Sequence, residues 1–100
     1  MIRIGYDIND TNCELFLIGH ANYDNHGKDI VCAGVSAIVY SLIGMLQNNC
    51  GDDLKVKEEA GDVEITCDST EKVKAAFEMA VIGLAQIALT YPSNVNISLH

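Results

Sequence analysis

Apolar and polar residues alternate from the start of the chain: Ile2, Ile4, Tyr6 and Ile8 are separated by Arg3, Gly5 and Asp7. A period of two marks a strand with one buried face. Residues 9–12 are a turn cluster of Asn, Asp and Thr. Residues 13–18 predict a second strand, with Leu15 and Leu17 on one face and Phe16, Ile18 and His20 continuing the other. Together they predict an antiparallel hairpin. Residues 21–28 (ANYDNHGK) are polar and read as a mobile surface loop. Asp29 then suits the cap of a helix over residues 30–48, which residues 49–51 end.

The second half repeats the alternation. Leu54 and Val56 are interleaved with Lys55 and Lys57, residues 60–62 form a turn, and Val63, Ile65 and Cys67 are interleaved with Glu64 and Thr66. This predicts a hairpin with one charged face, and Cys67 shares the inward face of Val63 and Ile65. Asp68 with Glu71 three residues later resembles a capping box opening a second helix. Tyr91-Pro92 stops that helix near residue 90, and Val95, Ile97 and Leu99 predict a last strand. The order is ββαββαβ. It predicts an α+β fold in which two helices pack on a mostly antiparallel sheet, as a single small domain over residues 1–100.

Both helices are apolar nearly all round: Ile30, Val31, Val35, Ile38, Val39, Leu42, Ile43 and Leu46 in the first; Val73, Phe77, Ala80, Val81, Leu84, Ile87 and Leu89 in the second. One sheet covers one stripe of each helix, so the remaining stripe predicts a homodimer with helices at or near its interface. No charge interrupts residues 30–51, but the apolar part ends near Leu46, short of the roughly 20 residues a membrane span needs. A buried helix is expected there, and no membrane association.

Composition sharpens this picture. Of 100 residues, 49% are hydrophobic, yet there is no Trp and there are only two Phe, so the core must be aliphatic. The net charge of −8 leaves no basic stripe for nucleic acid and favours a basic partner. Most of the acidic surplus lies on or near the second hairpin. Cys13, Cys32, Cys50 and Cys67 form no CxxC pair, which argues against a zinc ribbon or a thioredoxin-type site. The chain opens straight into the alternating pattern with no signal-peptide features, which predicts free thiols in the cytoplasm. No cofactor or metal is expected.

The candidate chemistry lies around the polar loop. His20 ends the second strand, and Cys32 falls in the first turn of the first helix. A helix N-terminus and a neighbouring imidazolium both favour a thiolate, and first-turn amides, that of Cys32 among them, offer an oxyanion site. The pair thus has the parts of a Cys/His dyad. A Cys within an Ile-Val-Cys-Ala run is most often a small buried residue, and a lone His at a strand end most often a surface or satisfied one, so pattern alone favours the structural reading over the dyad. Asp29 is by default the helix cap and otherwise a partner orienting His20. Ser36 lies one turn after Cys32 on the same face and either supports the site or bonds back to the helix. Gly34 allows a close approach beside the site. His26 is the alternative base, less well organised in its loop, and His100 is terminal.

Gly19-His20-Ala21, a short variable segment, and then Gly27-Lys28-Asp29-Ile30-Val31-Cys32-Ala33-Gly34-Val35-Ser36-Ala37 resemble the ribosomal-processing cysteine proteases, whose signature is GHA, a loop, and G-x-DIVCAAVSAL. The sequence departs from it at Gly34 and Ile38, which stand in place of Ala and Leu. The resemblance implies a cysteine endopeptidase that removes the N-terminal extension of a large-subunit ribosomal protein, cutting after an aromatic or apolar stretch and before a basic one. It implies His20 and Cys32 as the catalytic pair, with Gly19, Asp29 and Ser36 at the other motif positions, in a homodimer. The competing reading is a non-catalytic, acidic, dimeric module that binds a basic ribosomal protein.

Overall fold

The computed structural model describes residues 1–25 and 27–100. Among them the elements run β1 (Ile2–Ile8), β2 (Asn12–Ile18), α1 (Ile30–Asn49), β3 (Lys55–Glu59), β4 (Asp62–Asp68), α2 (Glu71–Thr90) and β5 (Val95–Leu99). The predicted ββαββαβ order is present. The strands form one sheet in the order β3-β4-β2-β1-β5. The β1–β2, β2–β4 and β3–β4 pairs are antiparallel, and β5 joins β1 in parallel.

Register places the apolar sets in line. Ile4 faces Leu17, Leu15 faces Ile65 and Cys13 faces Cys67, so one face of the sheet is continuous and apolar. The helices pack on that face. Val31, Val35, Val39, Leu42, Ile43 and Leu46 of α1 and Val73, Ala76, Phe77, Ala80 and Leu84 of α2 are buried there. Phe77, Leu15 and Leu46 are among the largest side chains fully enclosed. On the other face Phe16 lies over Gly5 and meets the His100 ring edge-on.

Three expectations change. The cap of α2 is Thr70, whose side chain accepts the Val73 amide, not Asp68. Asp68 is the last residue of β4, opposite Asn12, and its own amide goes to the Asp53 carboxylate. Val56 is 38% exposed and every residue of β3 is exposed; α2 packs on β1, β2 and β5, away from this edge strand, and between α1 and the end of β3 lies an open cavity. And α1 is half rather than fully buried. Ile30, Tyr40 and Met45 are exposed on its outer side, as are Met79, Ile82 and Leu89 on α2. Both helices are long and apolar enough to cross a membrane, yet each carries one wall of the folded core.

Candidate active site

The site forms where the end of β2, the start of α1 and the β3–β4 turn meet. β2 ends at Ile18, opposite Asp62 of β4, and this register brings the turn at residues 60–61 beside Gly19. The Gly19 amide donates to the Gly61 carbonyl at 2.9 Å. Gly19 has φ +103°, where a Cβ would stand 2.3 Å from the Met1 carbonyl oxygen, so only glycine lets the chain turn here. His20 follows at once. Its imidazole rests on Gly61, where a Cβ would stand 2.8 Å from Nε2. Gly61 also holds φ +73°. The turn was legible in the sequence, but its role as a floor for His20 was not.

Asp29 caps α1 as expected, its Oδ1 accepting the Cys32 amide at 2.9 Å. Its Oδ2 accepts the Tyr23 amide at 2.9 Å and the Asp24 amide at 3.4 Å. These bonds, that from Cys32 foremost, hold the Asp29 carboxyl below its ordinary range. Two expectations are revised by this. The carboxylate is spent on backbone amides, and among the described residues no bond joins it to His20. The Cys32 amide is committed to the cap, so it is not a free oxyanion donor.

The described start of the loop, residues 21–24, is tied to the rest of the fold at several points. Ala21 is buried, and its carbonyl accepts Asn94 Nδ2 at 2.9 Å. The Tyr23 ring meets Tyr91 edge-on, with centroids 5.2 Å apart. Asn94 and Tyr91 lie between α2 and β5, far from the loop in sequence, and nothing local signalled them. His26, the alternative base, lies outside the described residues.

His20, Cys32 and Ser36 line two adjoining cavities. One, of about 550 Å³, has an apolar wall that includes Ile2, Leu17, Val35 and Val39, and a rim that includes Glu58, Glu59 and Asp62. The other, of about 370 Å³, lies under the loop and includes Asn22, Asp24 and Asp29. Cys32 is half-buried and His20 exposed. Among the described residues no hydrogen bond joins the Cys32 thiol to the imidazole, and contacts of this kind often tighten only when substrate is bound. Gly34 faces Ile87 of α2, which a Cβ would meet at 3.4 Å, an ordinary contact, so the helix packing leaves room for an alanine at this position. Along the acidic rim Asp62 pairs with Lys57 at 2.9 Å, whereas Glu58 and Glu59 have no ion-pair partner among the described residues. A thiol and an imidazole on an open cleft, with an apolar wall and an acidic rim, suit an extended peptide bearing apolar and basic side chains.

Comparison with known proteins points in one direction. The family model described as cysteine protease Prp matches residues 1–96. The ribosomal processing cysteine protease Prp of Bacillus subtilis (strain 168) is 27% identical over 90 residues, covering 82% of this chain and 80% of that protein. The protein of the same name from Mycoplasma genitalium is 30% identical over 80 residues, covering 80% of this chain and 81% of its own. The crystal structure of an essential ribosomal processing protease Prp from S. aureus, with a covalently linked product peptide, has the same fold. Its TM-score is 0.86 over the whole of both chains at 21% identity.

Proposed function

This chain belongs to the cysteine protease Prp family, and we propose that it removes the N-terminal extension of a large-subunit ribosomal protein, using a His20/Cys32 dyad. The observation that carries this reading is the convergence of His20 and Cys32, twelve residues apart in sequence, on the same two cavities.

In the proposed reaction His20 accepts the Cys32 proton, and the thiolate attacks the scissile carbonyl. His20 then gives the proton to the leaving amine as the C–N bond breaks. A water deprotonated by His20 cleaves the thioester, releases the new carboxylate and restores the thiol. Gly19 turns the chain so that His20 reaches the cleft. Asp29 acts as a positioning residue, because one carboxylate holds both the Cys32 amide and the loop. Ser36 lines both cavities beside the thiol. The apolar wall suits the residues before the cut, and Glu58 and Glu59 suit the basic residues after it.

The protein acts, in this proposal, as a cytoplasmic homodimer joined through the exposed apolar side of the helices, with no need for nucleic acid, membrane or cofactor. Size-exclusion chromatography with light scattering tests the dimer: a monomer at micromolar concentration overturns it. The protease is tested with the extended ribosomal protein from the same genome, by product mass. One cut at the end of the extension, lost in Cys32→Ala and in His20→Ala, is the expected result. A cut that survives Cys32→Ala removes the proposed nucleophile. Tight binding without any cut favours the non-catalytic module instead.

A further inference from the structure

Three chain segments converge at the C-terminal end of α1, far from the cleft. Cys50 caps the helix, its amide donating to Leu46 at 2.7 Å. Residues 51–54 turn, and Asp53 aims its carboxylate back at the turn and across to β4. Its Oδ1 accepts the Gly51 amide at 3.1 Å. Its Oδ2 accepts the Asp68 amide at 3.0 Å and the Cys67 thiol at 3.3 Å. Cys67 comes from β4 and is fully buried, while Cys50 and Asp53 are half-buried. The two sulfurs and a carboxylate oxygen all lie within 4.8 Å of one another, and both cysteines are free thiols.

We propose that Cys50, Asp53 and Cys67 form a binding site for a thiophilic divalent cation of the zinc class, separate from the cleft. Two sulfurs and one carboxylate are a donor set that zinc accepts, and thiolates select it over magnesium or calcium. Tetrahedral geometry asks for sulfurs about 3.8 Å apart and a sulfur–oxygen separation of about 3.6 Å, from bond lengths of about 2.3 Å to sulfur and 2.1 Å to oxygen. The Cys67 sulfur lies 3.3 Å from Asp53 Oδ2 and no two donor atoms are more than 4.8 Å apart, so no separation exceeds its tetrahedral value by more than about 1.2 Å. The carboxylate is already oriented by two amides, the outer support that metal ligands usually have. Cys50-x2-Asp53 supplies two donors across one turn, and Cys67 supplies the third from a strand the core holds in place. Solvent on the Cys50 and Asp53 side provides the fourth ligand.

Binding replaces the Cys67 S–H···Oδ2 hydrogen bond by two bonds to the ion. Each thiol releases one proton to solvent, and no electron moves. Two thiolates, one carboxylate and a dication leave one negative charge. The ion ties the end of α1 to the root of the β3–β4 hairpin. That hairpin's edge strand is otherwise exposed, and its turn forms the floor under His20. Apolar packing explains a buried Cys67, but not a second thiol and a carboxylate gathered around its sulfur.

The test uses the full chain carrying Cys32→Ala, which removes the cleft thiol as a competing ligand, under anaerobic reducing conditions. Cobalt(II) is titrated as a spectroscopic probe of thiolate ligation, and zinc is titrated against thermal unfolding. We expect one equivalent of cobalt with a sulfur-to-metal charge-transfer band, and a zinc-dependent rise in the unfolding midpoint. Cys50→Ser and Asp53→Asn, each added separately, should weaken binding about 100-fold or more. Their melting curves without metal establish that they fold, and should Cys50→Ser fail to fold, Asp53→Asn carries the test. No saturable binding, a cobalt spectrum lacking the thiolate band, or undiminished affinity in the folded variants overturns the site.

Discussion

Beside each end of α1 an aspartate engages a cysteine, Cys32 of the helix at one end and Cys67 of β4 at the other, and the outcomes are opposite. At the N-terminal end Asp29 binds the Cys32 amide and leaves the thiol facing two open cavities. At the C-terminal end the Asp53 carboxylate takes the Cys67 thiol itself as a donor. Burial, with the neighbouring Cys50 and Asp53 adding to it, pushes the Cys67 thiol well above its ordinary range. What separates the two ends is which atom of the cysteine the carboxylate engages. A carboxylate on the backbone amide organises a helix start without burdening the sulfur. In the metal-free protein a carboxylate on the thiol holds the proton where it is.

The largest effect expected is at the open end. Cys32→Ala and His20→Ala should each lower peptide cleavage by about 10⁴-fold or more, whereas Cys50→Ser should leave the rate within a few-fold. Equal losses at both ends, read from initial rates, would erase the contrast. Next comes thiol reactivity. In the metal-free protein iodoacetamide should modify Cys32 at least about 100-fold faster than Cys67, whose exposure requires local opening. Peptide mapping by mass spectrometry reads both rates in one sample.

Gly61→Ala acts on the open end alone. It strains a positive φ and pushes a methyl into the space of the His20 ring. A displacement of about 1 Å at a reacting group can cost about 100-fold, so kcat/KM should fall by about 10–100-fold, with the alkylation rate of Cys67 unchanged.

The smallest effect concerns the cap. Asp29→Ala should lower the unfolding midpoint by about 5 °C, and Asp29→Asn, which still accepts amide hydrogens, by less. The Asp29 pKa is lower in the folded state than in the unfolded chain, so its contribution is fully present above the ordinary carboxylate range. It is lost as pH falls through the lowered folded value. Asp29→Asn should therefore flatten the acid side of the stability profile, measured by thermal melts from pH 6 downwards.

How far the sequence could be read follows the range of the interactions. Period-two alternation found every strand, and the Asp29 cap could be read because its partner lies three residues away. Asp68, Ser69 and Thr70 are all capping types in a row, and the choice of Thr70 is made elsewhere, by the β2–β4 register that draws Asp68 into the sheet. Val56 has the alternation of a buried position, but exposure depends on where the helices end. His20 and Cys32 were legible as a pair. Their supports were not, since the Gly61 floor depends on pairing between two hairpins and Asn94 reaches Ala21 across 73 residues. The gathering of Cys50, Asp53 and Cys67 depends equally on tertiary register.

The parallel seam between β1 and β5 bears on the order of assembly. It joins Ile2 to Val95 and Tyr6 to Leu99, contacts of very high sequence separation, which pay the full cost of loop closure and form late. During synthesis, residues 94–99 leave the ribosome after everything they organise. Until they dock, β1 is an open edge and the Ala21 carbonyl has no Asn94 to hold it. The strands and helices can already be in place while the segment bearing His20 is not, so completion of the proposed site waits on the docking of β5.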